Sequence, residues 1–500
     1  MLDASATARV IGRSFSFRLV AQILSALINV AGMAVLGNAL AAQGYGDYAF
    51  YYALVPLIAA LSDVGVGAIV TREIARDRAA GPRHFGDALM VKGIVSGLLL
   101  LVVLLAMPWT LGPGQRLLVM VVAATALIDF SQDASVWIFR AHDRQDLEAL
   151  LLMVSQLIWL AAIAWCAVIH APLWWFLASA TLAFLLRSAI GLWIATRRLY
   201  RPVFAPRWER LRRLMREGLP FGLAMFVVVL YGRAGVLMLK AMATSSDVAF
   251  FNVGYMLSQP LGFVSSAFNV SAFPSLSRAW SLGPTAVRPM LRRAVKFQFL
   301  AALPLAVGLF LLAPRVVPLL LKGADFRRAA LALQVMSVGL PLIFLNLMSR
   351  YVLTAFDRQR TYLTAILVGL AANVATAALA IPRYGAAGAC GALIAGELAV
   401  FLVCLRSLSP LLTAQDLLRE VARPLAAAAV MGALVFVLRG ANLVLVTGLG
   451  AAVYLIALWL VRAFSADELR VLRAVAHSFR IPGTGPRSGE AAETARSMRS

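Results

Sequence analysis

Arginine side chains inside apolar stretches are the residues of this sequence best suited to bind an anion. Arg233 lies in "VVVLYGRAGVLML" and Arg18 in "RSFSFRLVAQIL", where an ionised group costs roughly 2.5–3.5 kcal/mol on membrane-insertion scales. The planar guanidinium binds phosphate oxygens through paired hydrogen bonds. Arg233 is therefore predicted to line a polar cavity. Arg18 is only about one turn inside its stretch and can instead extend to the aqueous side.

Other polar side chains share these apolar stretches. Asn252 and Asn269 could bind sugar hydroxyls or join neighbouring helices, and Lys240 could bind an anion or anchor a helix end at the membrane interface. Asp129 and Asp133 are four residues apart with Arg140 seven further on, so the three share one helix face. That face could hold an ion pair, sugar contacts, a proton site or a structural seam.

Glu397, in "GALIAGELAVFL", is an isolated acidic residue. A lone carboxyl group in an apolar helix suits reversible protonation. Glu397, with Asp129, Asp133 and Arg140, is thus a candidate for coupling to a proton or sodium gradient. We expect no other cofactor.

Several classes of chemistry have no residues to support them. The three cysteines are scattered through apolar runs, and the four histidines have no paired spacing; neither predicts a metal site. There is no phosphate-binding glycine loop and no nucleophile elbow. An enzyme such as a membrane glycosyltransferase or polymerase is disfavoured. The net charge of +23 comes from short clusters between apolar runs, a pattern that indicates membrane topology rather than nucleic-acid binding.

The composition predicts a polytopic all-α membrane protein. The chain is 61% hydrophobic and 14% charged, with a mean hydropathy of +0.84, far from a soluble domain. A helix needs about 20 apolar residues to span a membrane. Fourteen stretches qualify: 15–36, 47–70, 87–108, 115–139, 147–169, 172–195, 218–239, 247–273, 296–313, 329–355, 361–381, 385–405, 424–438 and 442–463.

The basic residues divide unequally between the two sides. When the termini and alternate loops are placed together, 37 of the 46 Lys and Arg fall on that side, 8 on the other, and Arg233 within a span. We call these the basic-rich and basic-poor sides. The positive-inside rule makes the basic-rich side, with both termini, cytoplasmic. In a bacterium the membrane would be the inner one.

A short polar phrase occurs twice and indicates an internal repeat. Asp143-Arg144-Gln145 follows the fourth span and Asp357-Arg358-Gln359 the tenth, and "GDYAF" at 46 is echoed by "SDVAF" at 246. Each echo relates span n to span n + 6. This predicts two parallel six-helix repeats followed by two extra helices, with a substrate path between the halves. The Asp of each phrase is interpreted as the N-cap of the following helix.

The spans and charges together predict six regions. These are a cytoplasmic N-terminus (1–14), an N-terminal lobe (15–196), a basic linker (197–217), a C-terminal lobe (218–406), helices 13 and 14 (407–463), and a cytoplasmic tail (464–500). In the tail, Ser465 and Glu468 form a capping box before a short amphipathic helix, and the remainder has a disordered composition.

Two segments resemble a known family. "LAAQGYGDYAFYYALVPLIAALSDVGVGAIVTREIARD" (40–77) and "LLLKGADFRRAALALQVM" (319–336) are similar to motifs of the bacterial polysaccharide flippases, which serve O-antigen, capsule and exopolysaccharide synthesis. These belong to the superfamily of multidrug, oligosaccharidyl-lipid and polysaccharide exporters. The resemblance covers roughly residues 10 to 465.

The resemblance implies a transporter, not an enzyme. Its expected substrate is a polyprenyl-pyrophosphate-linked oligosaccharide, moved from the cytoplasmic to the periplasmic leaflet by alternating access. Arg18, Arg233, Lys240, Asn252 and Asn269 would then contact pyrophosphate or glycan. Expected partners are membrane lipids, a polysaccharide polymerase and chain-length proteins, and no nucleic acid. A lipid II flippase or a cation-coupled multidrug exporter of the same superfamily are the alternatives.

The predicted topology can be tested with reporter fusions. Fusions after residues 210 and 480 should report from the cytoplasm, because both positions lie among clustered arginines. A fusion near residue 323 should report from the periplasm. A cytoplasmic signal at 323 would contradict both the fourteen-span topology and the repeat.

Overall fold

The structure is a computed structural model that describes residues 4–110, 112–142, 144–199, 201–205 and 207–463, without the side chains of 4–21, 107–110, 113, 129–134, 145 and 324. Within these ranges there are fourteen α-helices, two 3-10 turns and no strand. The helices are α1 (Ala4–Asp63), α2 (Val66–Arg76), α3 (Gly81–Thr110), α4 (Pro113–Ala141), α5 (Gln145–Val168), α6 (Leu173–Arg198), α7 (Trp208–Met242), α8 (Ser245–Ser258), α9 (Gly262–Leu282), α10 (Pro284–Leu320), α11 (Arg327–Ala355), α12 (Gln359–Leu408), α13 (Ala414–Val437) and α14 (Leu443–Leu460).

The described helices match the fourteen predicted spans. Ten of them are long and apolar enough to cross a membrane. Two of the ten are double: α1 turns at Ala41 (φ 53°) and α12 at Gly385 (φ 51°). The fourth span lies on α4, and the eighth is α8 and α9 joined by a 3-10 turn. The all-α membrane architecture is therefore confirmed.

The outer surface of the bundle is apolar, as a lipid-facing surface must be. Leu105 on α3 is 64% exposed, Trp193 on α6 56% and Val444 on α14 81%. A water-soluble protein rarely exposes so many large apolar side chains together. In a bilayer the same side chains contact acyl chains, and the helices satisfy their backbone groups internally.

The arginine of the repeated polar phrase makes the same backbone hydrogen bond in both copies. The Arg144 amide donates to the Phe139 carbonyl, and the Arg358 amide to the Leu353 carbonyl, each at 2.8 Å. Both are the wide hydrogen bond of a Schellman helix end. The N-cap interpretation of the Asp is wrong for Asp357: it has φ 55° and ends α11, whereas Arg358 is the N-cap of α12. Asp143 lies outside the described residues.

The second predicted span, 47–70, ends earlier than predicted. The long helix stops at Asp63, and a separate helix, α2, begins at Val66. Between them Val64 and Gly65 have φ 47° and 71°, which no right-handed helix can accommodate. The break directs α2 along the basic-rich side. The chain after residue 463, including the predicted tail helix, lies outside the described residues.

Gly65 brings the break against the start of α7. A Cβ at Gly65 would overlap the Gly218 carbonyl oxygen and lie 2.6 Å from the Gly222 nitrogen. The "DVGVG" segment at 63–67 is thus a tight backbone junction between the N-terminal helices and α7. Glycine is required there for both the positive φ and the close approach.

Ion pairs hold the surrounding helices at the basic-rich side. The Lys92 ammonium, fully buried on α3, lies 3.7 Å from an Asp63 carboxylate oxygen and over the Trp137 ring. Arg210 at the start of α7 lies 3.3 Å from Asp87 on α3. The first pair joins α3 to the end of α1, and the second joins α3 to α7. Each pair places a buried charge beside an opposite charge, so separating these helices would leave a buried charge unpaired.

We expect Gly65→Ala to destabilise the protein. The methyl group adds a left-handed conformational penalty and an overlap with α7, together at least about 2 kcal/mol of unfolding free energy. Gly97→Ala on α3 is the matched control, since its Cβ would meet no atom within 4 Å. Unfolding of the purified variants in detergent measures both. Equal stability of Gly65→Ala and Gly97→Ala would contradict the tight junction.

Candidate functional site

The two halves of the chain contact each other closely at the basic-poor side. Gly46 on α1 lies against the start of α8, where a Cβ would overlap the Ser245 carbonyl oxygen. The next residue, Asp47, accepts hydrogen bonds from the Lys240 ammonium at 2.5 Å and the Ser245 hydroxyl at 2.6 Å. The "GYGDY" motif therefore supplies the contact between the first and second six-helix sets.

Further bonds extend this contact. The buried Asn252 amide on α8 donates to the Tyr45 hydroxyl at 2.6 Å, and the Tyr45 ring packs on Phe326. The exposed Asn38 donates to the Leu320 carbonyl and accepts from the Lys322 amide. These bonds join α1 to α8 and to the end of α10. They close the interface between the halves at the basic-poor side.

A cavity of about 180 Å³ lies below this contact. We call it the N-terminal cavity. Helices α1, α5 and α6 line it from the first half, and α7 and α8 from the second. Its polar lining residues are Asn29, Tyr45, Tyr48, Tyr52, Ser155, Gln156, Arg187, Arg233 and Asn252.

Two arginines from different halves face the N-terminal cavity. Arg233 is nine residues before the end of α7, about 14 Å inside its basic-poor end, and its guanidinium lies 6.0 Å from the Tyr255 ring centre. Arg187 is on α6, about 21 Å from the basic-poor end of that helix, and lines the same space. The pair makes the cavity cationic although the surrounding helices are apolar.

Several polar atoms are buried at the cavity wall. The Gln156 carbonyl oxygen has no hydrogen-bond partner in the part of the chain that is described, and the Trp159 indole nitrogen and the Tyr48 hydroxyl are buried beside each other. Buried polar groups in proteins are nearly always bonded to protein or water. Their convergence on one cavity indicates that water or a polar ligand completes their bonding.

A second cavity, of about 490 Å³, lies in the other half. We call it the C-terminal cavity; it shares Asn29 with the first. Within it Glu397 on α12 accepts from the Tyr231 hydroxyl at 3.0 Å and from the Asn346 amide at 2.6 Å. The carboxyl group is thus held by two neutral donors, from α7 and α11, rather than by a cation.

Arg233 and Glu397 do not form the ion pair that would make Arg233 a purely structural residue. Glu397 is bonded to Tyr231 and Asn346, and no carboxylate among the described residues lies within 4 Å of the Arg233 guanidinium. The two charges face different cavities on either side of α7. Each is therefore free to act on its own ligand.

The structure separates the other predicted site residues. Asn252 lines the N-terminal cavity, and Lys240 lies at the contact between the halves. Asn269 is buried among α9, α10 and α11, where it accepts from the Gln298 amide and donates to Ser265. Arg140 forms an ion pair with Glu148 at 2.6 Å near the basic-rich side. The side chains of Arg18, Asp129 and Asp133 lie outside the described residues.

Arg187 and the role of Asp47 are not predicted from the sequence. Arg187 lies inside the predicted span 172–195, in "AFLLRSAIGLW", yet the charge count placed it on the basic-rich side. An arginine well inside an apolar span was the available signal. Asp47 was noted only as part of a repeated phrase. Nothing in the sequence pairs Asp47 with Lys240, 193 residues away.

The described ranges contain no set of metal ligands. No group of three His, Cys, Asp or Glu there could hold an ion. Cys166, Cys390 and Cys404 are buried free thiols.

The two cavities contain groups suited to different chemistry. The arginines of the N-terminal cavity can bind an anion, and the carboxyl group in the C-terminal cavity can exchange a proton.

The sequence of the chain matches a known protein family over its first half. The family model described as polysaccharide biosynthesis protein matches residues 11–280. None of the curated proteins compared with the chain matches it in sequence.

Solved structures share the fold at low sequence identity. A structure of the lipid II flippase MurJ in an inward closed conformation has a TM-score of 0.74 and 14% identity, covering 89% of this chain and 97% of that chain. An inward-facing multidrug resistance MATE family transporter of the MOP superfamily has a TM-score of 0.63 and 18% identity, with 78% and 95% covered. The Vibrio cholerae MATE transporter VcmN has a TM-score of 0.56 and 17% identity, with 81% and 98% covered.

At such identities the likeness concerns the fold alone, which is that of these transporters. The family match carries more, because residues 11–280 are more than half of a chain of 500. The chain belongs to the polysaccharide biosynthesis protein family.

Proposed function

We propose that this protein is a flippase for a polyprenyl-pyrophosphate-linked oligosaccharide. It would move the head group from the basic-rich, cytoplasmic side of a bacterial inner membrane to the basic-poor, periplasmic side. There the glycan would enter lipopolysaccharide or exopolysaccharide assembly, where a polymerase and chain-length proteins receive it. The observation that carries the proposal is the N-terminal cavity with Arg187 and Arg233.

The chemistry of the cavity suits a pyrophosphate. A multiply charged head group cannot enter hydrocarbon unaided, and two guanidinium groups offer paired hydrogen bonds to its oxygens. The Gln156 carbonyl oxygen, unbonded within the described residues, can accept a hydrogen bond from the first sugar, and aromatic faces can stack on it. The cavity would thus supply to the head group the interactions that water supplies outside the membrane.

The size of the cavity implies a conformational cycle. Its volume of about 180 Å³ is below the roughly 300–1,000 Å³ of ordinary ligand pockets. It accommodates a phosphate group but no oligosaccharide. Loading and release would therefore require the halves to separate, and release on the basic-poor side requires loss of the Asp47–Lys240 ion pair.

The fold similarity to MurJ supports one alternative substrate. Lipid II also carries a pyrophosphate, so the same arginines would serve a lipid II flippase. We favour the oligosaccharide because the chain belongs to the polysaccharide biosynthesis family. A multidrug exporter is disfavoured for the same reason.

We further propose that Glu397 couples transport to a proton or sodium gradient. The carboxylate accepts two hydrogen bonds from neutral donors, and the Asn346 carbonyl oxygen is buried without a partner. When Glu397 is protonated, rotation of the Asn346 amide would present that oxygen as acceptor for the new proton. Tyr231 on α7 would transmit the change to the helix that carries Arg233.

Substitution of the two arginines tests the proposed function. In cells, Arg187→Ala and Arg233→Ala should each reduce surface polysaccharide at least about tenfold, because a charged hydrogen-bond partner is removed. The corresponding Lys variants should be intermediate, since they keep the charge and lose the paired geometry. Membrane abundance is measured in the same cells.

Arg278→Ala is the matched control, because this exposed arginine at the end of α9 lines neither cavity. It should leave export unchanged. Full export by Arg233→Ala would refute the role of the cavity. Loss of membrane abundance in step with export would instead assign Arg233 a structural role.

The coupling role of Glu397 can be measured in proteoliposomes loaded with lipid-linked oligosaccharide. Glu397→Gln keeps the shape but cannot ionise, so an imposed proton or sodium gradient should no longer accelerate transport. Glu420→Gln, outside both cavities and paired with Arg292, should respond as the wild type does. A wild-type gradient response in Glu397→Gln would exclude this residue as the coupling group.

A further inference from the structure

A second group of arginines lies on the basic-poor side, away from both cavities. Arg327 and Arg328 begin α11, and Arg383 precedes the turn at Gly385 within α12. Together they line a crevice of about 710 Å³ between the basic-poor ends of α7, α8, α11 and α12. We call it the arginine crevice.

These arginines are on the side where the sequence places few basic residues. Only 8 of the 46 Lys and Arg were assigned there, and three of those eight line this one crevice. The positive-inside rule disfavours basic residues in short loops on that side. Their concentration therefore calls for a specific reason.

Arg327 and Arg328 are also at the unfavourable end of their helix. They occupy the first turn of α11, which has no acidic residue and no side-chain cap. The partial positive charge of a helix N-terminus repels cations and attracts anions. Both the two arginines and this helix end therefore favour an anion at the same place.

No carboxylate among the described residues forms an ion pair with the three arginines. Arg327, Arg328 and Arg383 are exposed. Asp247 lines the crevice, but its carboxylate is already bonded to the Thr244 hydroxyl at 2.7 Å and the Ala386 amide at 3.2 Å.

The bond from Ala386 to Asp247 gives the crevice a fixed shape. Gly385 has φ 51°, and a Cβ there would overlap the Asp247 carboxylate. The turn is therefore held against α8, and with it Arg383 and the neighbouring Tyr384. Tyr384 is 68% exposed and Leu331, on the α11 wall, is 54% exposed, so aromatic and apolar surface adjoins the charges.

We propose that the arginine crevice binds the phosphate group of a membrane lipid with a net negative charge on the basic-poor side. Three guanidinium groups match the several oxygens of a phosphate. Tyr384 suits the head-group region of a bilayer, and Leu331 can contact the adjoining chain. An anionic phospholipid and the polyprenyl pyrophosphate of the proposed substrate share this chemistry. Binding of the polyprenyl pyrophosphate rests on the proposed function, whereas binding of an anionic phospholipid does not.

The test is lipid binding to the purified full-length protein in detergent. Phosphatidylglycerol and undecaprenyl pyrophosphate are titrated separately. Phosphatidylcholine is the reference, because choline balances the charge of its phosphate and the lipid has no net charge. The variant R327A/R328A/R383A should bind at least one of the two anionic lipids about tenfold or more weakly than the wild type, a loss of about 1.4 kcal/mol. Phosphatidylcholine binding should not change.

The matched control is R315A/K322A/R439A. It removes three positive charges from the same side, and none of these residues lines the crevice. It should bind both anionic lipids as the wild type does. Thermal unfolding in phosphatidylcholine verifies that the variants are folded; the single variant Arg383→Ala, expected to show a smaller loss, replaces the triple variant if that one is unfolded.

The lipid that responds identifies the source of the phosphate. Weaker binding of phosphatidylglycerol assigns the crevice to phospholipid, independently of transport. Weaker binding of undecaprenyl pyrophosphate alone assigns it to the transported lipid, whether or not Arg187 and Arg233 prove essential. Wild-type binding of both lipids by the crevice variant, or an equal loss in the control, overturns the proposal.

Discussion

The close contact between α1 and α8 at Gly46 is the constraint on which the arrangement of the two halves depends. Only a glycine lets the two backbones meet there, and the approach places the Asp47 carboxylate within reach of Lys240 and Ser245. The same approach seals the basic-poor end of the N-terminal cavity. A short sequence motif thereby sets both the closed conformation and the depth at which Arg233 faces the cavity.

The second constraint is the cost of charge in hydrocarbon. The structure meets it differently at different depths. At the basic-rich side Lys92 and Arg210 pair with Asp63 and Asp87, so these charges stabilise packing. Deeper in the bundle, Arg187 and Arg233 line the N-terminal cavity together with the buried, unbonded carbonyl oxygen of Gln156. For Arg233, which forms no ion pair among the described residues, this position agrees with the proposed binding of an anion.

The two cavities offer different chemistry and lie next to each other. The arginines of the N-terminal cavity come from both halves, whereas the C-terminal cavity holds a carboxyl group bonded to neutral donors. The cavities meet at α1 and α7 and share Asn29. Because α7 carries both Arg233 and Tyr231, the proposed protonation of Glu397 would act on the helix that contributes Arg233 to the proposed anion site.

The sequence by itself determined the membrane class, the fourteen passes and the duplication. Hydrophobic length and charge asymmetry are local properties that the bilayer imposes on every helix. It also predicted Arg233 and Glu397 as site residues, since isolated charges in apolar helices are conspicuous, and the structure places each of them at a cavity. It misassigned local ends: Asp357 ends one helix rather than capping the next, and the second span stops at Asp63. Those outcomes depend on single left-handed residues, which composition does not reveal.

Only the tertiary structure decided which polar residues act together. Arg187 and Arg233 are 46 positions apart, and Asp47 and Lys240 are 193 apart; their proximity follows from helix packing, not from spacing along the chain. Packing can also separate a predicted residue from the site: Asn269 is buried away from both cavities, where it is hydrogen-bonded to Gln298 and Ser265. A polar residue in a membrane helix can face lipid, a neighbouring helix or a cavity. The rotation of the helix about its own axis determines which of these the side chain contacts.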